Sequence, residues 1–295
     1  MRNTVFLCAI FAATTLSAAP YRFISFNVWG NFFGNPPSER DVAQEEILRK
    51  HNPDFIALQE MTADYWASRL VSELRADYET VGEKMGPDGI DAFIPILYRR
   101  EGFELLGKGA KWFCKELDTS KGVVWAALRD RRSGVRIVVF SSHFWWRTDG
   151  RGDDFIRLEN ARRLYEEVTA AAAKYDAAIV GGGDLNATGV SSAFLELKRL
   201  GWKDGQETAP RTDSRPTWRD EPVRDSRTGR YRGVTFEAAK RTMTLDHAFY
   251  APERVGAYEF LMDCSQKALD TSDHVPIIFD FTVHPKAAWK APGRG

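Results

Sequence analysis

A small set of acidic, amide and imidazole side chains falls where short apolar runs end. Asn27 closes FISFN, Glu60 follows DFIALQ, and His143 follows VVFSS. Asp184 and Asn186 stand in AAIVGGGDLNATG, Asp246 and His247 in TMTLDHAFY, and Asp273 and His274 in TSDHVPIIF. Oxygen donors such as Glu60 and Asp273 are what a hard divalent cation binds. Histidine carries a proton near neutral pH, so His274 beside Asp273 pairs a proton carrier with a metal-binding carboxylate. Strand ends are where a layered α/β fold presents such groups.

Each residue also has a plainer use. Asn27 can form a turn, Glu60 can cap the next helix, and His143 can be a satisfied core residue. The three glycines before Asp184 predict a sharp backbone turn with no side-chain clash. Asp184 and Asn186, two apart, share one side of an extended segment. Strand alternation puts Asp246 on the face of Thr244 and Ala248, with His247 on the other, and a buried Asp246 needs a partner such as a histidine. Trp145, Trp146 and Trp218 can stack a base or sugar, or pack.

The elements that would carry these residues alternate along the chain. Strands are predicted at Tyr21–Val28, Asp54–Leu58, Tyr78–Gly82, Phe93–Tyr98, Phe103–Leu106, Val123–Leu128, Val135–Ser141, Ala177–Gly181, Thr244–Tyr250 and Val275–Val283. Helices are predicted at Ser38–Lys50, capped by Ser38 with Val42, Ile47 and Leu48 on one face, and at Asp64–Leu74, Asp153–Lys174 and Ser191–Leu200. Residues 201–240 read as polar loop with one short hairpin, and 284–295 as a loose tail. With no repeat or linker, this predicts one domain of two stacked sheets with helices outside.

Composition sets outer limits. The chain has 295 residues, 43% hydrophobic and 28% charged, with 41 basic against 41 acidic residues. That excludes disorder, collagen, coiled coil and a disulfide-stapled mini-protein, and it does not support nucleic-acid binding by bulk charge. The eight arginines between Arg211 and Arg241 can engage phosphates locally or form a solvated loop. Residues 1–19 have the three parts of a cleaved secretory signal: Arg2, the apolar run TVFLCAIFAATTL, and Ser17-Ala18-Ala19 before Pro20. The expected product is secreted or periplasmic. Cys114 and Cys264 remain after cleavage, as a disulfide or as two thiols.

The ordered set of strand-end motifs, above all GDLN and SDHVP, resembles the endonuclease/exonuclease/phosphatase superfamily, the DNase I-like fold, over Asn27 to Phe281. The resemblance implies a four-layer α/β/β/α sandwich of two mixed sheets over residues 20–283, and divalent-metal-dependent hydrolysis of a phosphoester. It implies Glu60 as principal metal carboxylate, with Asn27 and Asp273 on the metal side. His274 is implied as general acid/base oriented by Asp246, Asp184 as the group that positions water, Asn186 as a phosphate contact, and His143 as the second, phosphate-contacting histidine. Mg²⁺ or Mn²⁺ suits all-oxygen ligands. The sequence departs from the pattern at His143, whose acidic partner falls at Ala92 with Asp91 one residue away. His247 is expected to be structural. Asn186-Ala187-Thr188 is a glycosylation sequon, so a bacterial export route is the simpler reading. The implied partner is a phosphoester, whether nucleic acid, phospholipid head group, or sugar or inositol phosphate, bound by a monomer with no stable protein partner. The competing readings are a secreted nuclease and a non-catalytic binding protein on the same fold.

Overall fold

The computed structural model describes residues 20–32, 34–82, 93–148, 150 and 152–284. The signal segment, the tail beyond His284, and Asp91 and Ala92 lie outside the described residues. The chain begins β1 (Tyr21–Asn27), a 3-10 turn (Pro37–Glu39), α1 (Asp41–His51), β2 (Phe55–Gln59), α2 (Ala63–Trp66), α3 (Arg69–Leu74), β3 (Tyr78–Val81) and β4 (Ile96–Arg99). It continues with β5 (Phe103–Cys114), β6 (Asp118–Asp130), β7 (Arg136–His143), α4 (Asp153–Tyr175), β8 (Ala178–Asp184) and α5 (Ser192–Arg199). Short pieces follow: β9 (Lys203–Asp204), α6 (Gly205–Thr208), β10 (Arg211–Thr212), β11 (Trp218–Arg219), β12 (Val223–Arg224), β13 (Tyr231–Arg232) and β14 (Thr242–Met243). The last elements are β15 (Asp246–Tyr250), β16 (Val255–Met262), α7 (Gln266–Thr271) and β17 (Ile277–Val283).

Two large sheets result, a seven-stranded one ordered β10-β16-β17-β1-β2-β4-β3 and a six-stranded one ordered β5-β6-β7-β8-β15-β9. Each is mixed: β1 pairs parallel with β2 and antiparallel with β17, and β8 pairs parallel with β7 and antiparallel with β15. Phe23, Phe55, Ala57, Ile277 and Phe279 of the first sheet meet Val124, Val139, Val180 and Ala248 of the second in one core. Leu164, Val168 and Phe194 cover the outer face of the second sheet, and Leu48, Tyr65, Leu70 and Leu74 cover that of the first. This is the expected α/β/β/α sandwich. Each fully buried Phe or Ile in it contributes roughly 1.5–3 kcal/mol.

Local differences from the sequence expectation have identifiable causes. The helix predicted from Ser38 begins instead at Asp41, because Arg40 leaves helical geometry (φ −131°) to bury its guanidinium against the carbonyls of Val28, Trp29, Asn35 and Thr271. Val42 is then exposed, and Gln44 and Glu45 take buried positions beside Ile47 and Leu48. The helix expected at Asp64–Leu74 is broken where Ser68 turns extended and starts α3. β5 runs on to Cys114, pairing with β6 through two irregularities in register. β16 was not legible because a register shift between Ala257 and Glu259 interrupts its two-residue alternation. Cys114 and Cys264 are free thiols.

The glycines before Asp184 do not form the predicted turn. They lie inside β8, where a Cβ on Gly182 would stand 2.0 Å from the His247 carbonyl oxygen. One on Gly183, at φ +151°, would stand 1.8 Å from that of Ser142. They let three strands approach closely at the end that carries Asp184. Gly182→Ala should destabilise the fold by about 3 kcal/mol or more, at or above the upper end of overpacking costs. Urea unfolding checks this, and a midpoint equal to that of the wild type would contradict it.

Candidate active site

Strand parity builds the site. Phe23 and Ser25 on β1, Phe55 and Ala57 on β2, Ile137 and Val139 on β7, and Ala178 and Val180 on β8 fill the space between the sheets or line it. Farther along with the same parity come Asn27, Gln59, Ser141 with His143, and, past Gly182, Asp184. At one end of the sandwich the inward face therefore changes from apolar to polar. Register then aligns the polar residues, since His143 is the cross-strand partner of Asp184, and Asp184 that of Asp246. Beneath this row, Gln59 joins the sheets through Ser25 Oγ (3.2 Å) and Ser141 Oγ (3.1 Å).

Asp184 is the centre of the site. Its Oδ2 accepts from Asn27 Nδ2 at 3.1 Å and lies 3.3 Å from His143 Nε2 and 3.6 Å from His274 Nε2. Its Oδ1 accepts the Asn186 backbone N–H at 2.9 Å. Burial alone would raise this carboxyl, but His274 and His143 hold it well below the ordinary carboxylate range. Behind His274, Nδ1 meets Asp246 Oδ2 at 2.8 Å. Burial opposes protonation of His274, yet the charges of Asp246, Asp184 and Asp273 raise it well above an ordinary histidine.

Glu60 sits one residue beyond β2 in a left-handed conformation (φ 61°). That unusual turn aims its carboxylate back at the site, where Oε1 accepts from Asn27 Nδ2 (3.1 Å) and Oε2 from the Gly30 N–H (2.9 Å). Asp273 accepts the Trp218 indole N–H at 3.0 Å, and its carbonyl accepts the Arg219 N–H. Burial pushes the Asp273 carboxyl up to about 6; His274 opposes this and Glu60 adds to it.

Two sets of side chains are close enough to share a cation: Glu60, His143 and Asp184, and Asp184, Asp246 and His274, the ligand atoms of each lying within 4.8 Å of one another. The mutual repulsion of Glu60 and Asp273, both tied into the same end of the fold, is what a divalent cation would relieve. Each set joins carboxylates to one histidine and can hold a divalent metal; Asp273, expected on the metal side, is in neither. Asn27 is a bridge in this arrangement: its Oδ1 accepts the Trp29 N–H and its amide nitrogen joins Glu60 to Asp184. Asn186, at φ 46°, donates its amide to the Phe144 carbonyl. His247 faces away from the site, between Asp204 Oδ2 (3.2 Å) and the Ala187 carbonyl (2.9 Å), and is structural as expected.

Three contributors were missed or misread. Lys121, almost fully buried, puts Nζ 2.9 Å from His143 Nε2 and 3.2 Å from Nδ1. It begins an apolar stretch of β6, and only strand pairing, Gly122 opposite His143, brings it to the site. Thr217 Oγ1 accepts the N–H groups of Leu245 and Asp246, bracing the dyad from within the supposed polar loop. The arginine-rich stretch is not all solvated surface, since Arg219 is fully buried against the Val234 and Leu269 carbonyls. Trp145 is buried on Asp153, Trp146 is exposed beside Arg147, and Trp218 serves Asp273.

The sequence model of the Endonuclease/Exonuclease/phosphatase family matches residues 24–274. The chain belongs to that family. Its members are phosphoesterases and use divalent metals. The fold is similar to an endonuclease/exonuclease/phosphatase from Bacteroides vulgatus (TM-score 0.69, 20% identity, covering 90% of this chain and 100% of that one). It is also similar to a mannosyl-6-phosphatase from Bacteroides thetaiotaomicron (0.65, 16%, 89% and 99%). A third similar structure is D. rerio TDP2 complexed with single-strand DNA product (0.66, 18%, 89% and 99%). No curated protein sequence gives a significant match.

Asp273 gives a stability prediction. Its folded carboxyl titrates near 6, above the ordinary unfolded value of 3.8, so its ionisation opposes folding as pH rises between the two. In metal-free protein above about pH 6, Asp273→Asn should therefore be more stable than wild type, by up to about 3 kcal/mol, and the difference should vanish near pH 4. Urea unfolding in EDTA at the two pH values measures this. A destabilised variant at neutral pH would contradict the electrostatic assignment.

Proposed function

We propose that this chain is an exported, Mg²⁺- or Mn²⁺-dependent phosphoesterase that hydrolyses a phosphodiester or phosphomonoester by in-line attack of water. The observation that carries the reading is the buried Asp246–His274 pair, 2.8 Å apart, with His274 Nε2 turned toward Asp184. Export rests on the three-part pattern of residues 1–19, with residues 20–283 as the catalytic domain and 284–295 as a tail.

Asp246 takes the Nδ1 side of His274, which leaves Nε2 as the proton-carrying atom on the cleft side. Asp184 Oδ2 lies between the two imidazoles and can orient the attacking water there. His143 Nε2 faces the same point and can donate to a phosphoryl oxygen. Asn186 closes the loop beside it and is the further candidate phosphate contact. Glu60, with Asp273 near it, would hold the divalent cation, which when bound offsets negative charge developing on the phosphoryl group, whereas Asn27, expected as a ligand, turns its amide nitrogen to Glu60 and Asp184 and would orient those carboxylates. Nucleic acids, phospholipid head groups and sugar or inositol phosphates are the substrate classes this reading covers.

The test is hydrolysis of bis-p-nitrophenyl phosphate and p-nitrophenyl phosphate by the mature protein. Activity should require Mg²⁺ or Mn²⁺ and vanish in EDTA. His274→Ala and Asp246→Asn should each lower kcat by about 10²–10⁴ with the fold retained, the range for a lost proton-transfer group. Near-full activity in either variant would sink this mechanism.

A further inference from the structure

Lys121 is a buried group of the site that the reaction above does not use. Burying an ammonium is expensive unless an anion meets it. At this end His274 has Asp246 at 2.8 Å, and the buried Arg40 has four backbone carbonyls. Among the described residues, no carboxylate forms an ion pair with Lys121. Its hydrogen-bond partner is the imidazole of His143, which accepts a hydrogen bond but brings no counter-charge. Nζ lies 2.9 Å from Nε2 and 3.2 Å from Nδ1 of His143, and in a neutral ring only the nitrogen without a proton can accept from it. Two of the three ammonium hydrogens then have no described acceptor. Burial lowers the Lys121 pKa against the pull of Glu60, Asp118 and Asp184, and among the described residues these carboxylates reach the ammonium only from beyond ion-pair distance.

We infer that Lys121 is a phosphate-anchoring residue whose counter-anion is the substrate, and that it favours the dianionic terminal phosphate of a monoester over the monoanionic phosphate of a diester. The inference rests on the phosphoesterase reading and sharpens its substrate class. The energetic logic is that an ammonium held in a dry site is poorly solvated by the free protein, so an arriving anion gains more from it than from a surface lysine. A monoester offers one more negative charge and one more free oxygen than a diester. Lys121 would meet that extra charge while His143 keeps its donor toward the same group.

The experiment compares wild-type protein with Lys121→Met, and with Lys121→Gln should the Met variant not fold. Three quantities are read. Inorganic phosphate is titrated by calorimetry in the presence of Mg²⁺. Values of kcat and KM are measured for p-nitrophenyl phosphate and for bis-p-nitrophenyl phosphate. Tm is recorded for each protein. The expected result is at least about tenfold weaker phosphate binding in the variant, since hydrogen bonds to a charged group are worth about 1.5–3 kcal/mol. The monoester should lose at least about tenfold more kcat/KM than the diester. Tm should stay level or rise, because removing an unpaired buried charge relieves its desolvation. Phosphate affinity within twofold of wild type, equal losses on both esters, or a fall in Tm with parallel losses would each overturn the inference, the last marking a structural pin. If wild type hydrolyses neither ester but binds phosphate through Lys121, the hydrolytic reading fails and the anchor stands. If wild type binds no phosphate, the anchor fails.

Discussion

The two sheets are held at their catalytic end through one carboxylate, and the rest of the site depends on it. Asp184 comes from the six-stranded sheet and accepts a hydrogen bond from Asn27 of the seven-stranded one. His143, His274 and the turn at Asn186 are gathered around the same group. It can stand there because Gly182 and Gly183 let β8 press against both neighbours, and because Gln59 spans the sheets one layer below. The apolar core sets the separation of the sheets, and the polar layer converts that separation into a fixed arrangement of proton donors and acceptors. A strand slipped by one residue would turn each of these side chains to the outer face.

The electrostatics of this end work against stability. Asp184, Asp246 and Asp273 are buried together, Glu60 lies close by, and Lys121 is buried with them without an ion pair among the described residues. The protein tolerates the arrangement because the apolar core beneath it is continuous across both sheets. Such unrelieved charge is the usual mark of a site that awaits a cation and a charged ligand. The bracing is supplied by groups that do no chemistry: Arg40 ties the Val28–Trp29 turn to Thr271, Thr217 grips Asp246, and Trp218 grips Asp273. These residues belong to loops or, for Trp218, a two-residue strand, yet they fix the loops from which Glu60, Asp273 and His274 project.

Much of this was legible in the sequence, for a physical reason. Strand alternation is a local code, so Asn27, Asp184 and Asp246 could be assigned to strand ends without knowing the fold. The order of GDLN and SDHVP then named the family and, with it, the layers. What stayed hidden was non-local. Lys121 looks like any strand-flanking lysine until β6 is paired with β7. Thr217 and Trp218 stand in a polar stretch, and their hydrogen bonds reach residues 26 to 58 positions later. The bulged β16 and the six-residue α7 lack the periods on which pattern reading relies. The acidic partner sought for His143 at Asp91 falls outside the described residues, and the group found against the ring is instead a cation.

The central claim is that these strand-end residues together form a divalent-cation site. The most direct measurement is anomalous diffraction from crystals of the mature protein soaked in Mn²⁺, with Glu60→Gln crystals treated in the same way. The account predicts a manganese peak within bonding distance of the Glu60 carboxylate, in the cleft shared with Asp184 and Asp273, and its loss or marked weakening in the variant. Ordered wild-type crystals with no peak in this cleft, or with manganese bound only at a remote surface, would contradict it.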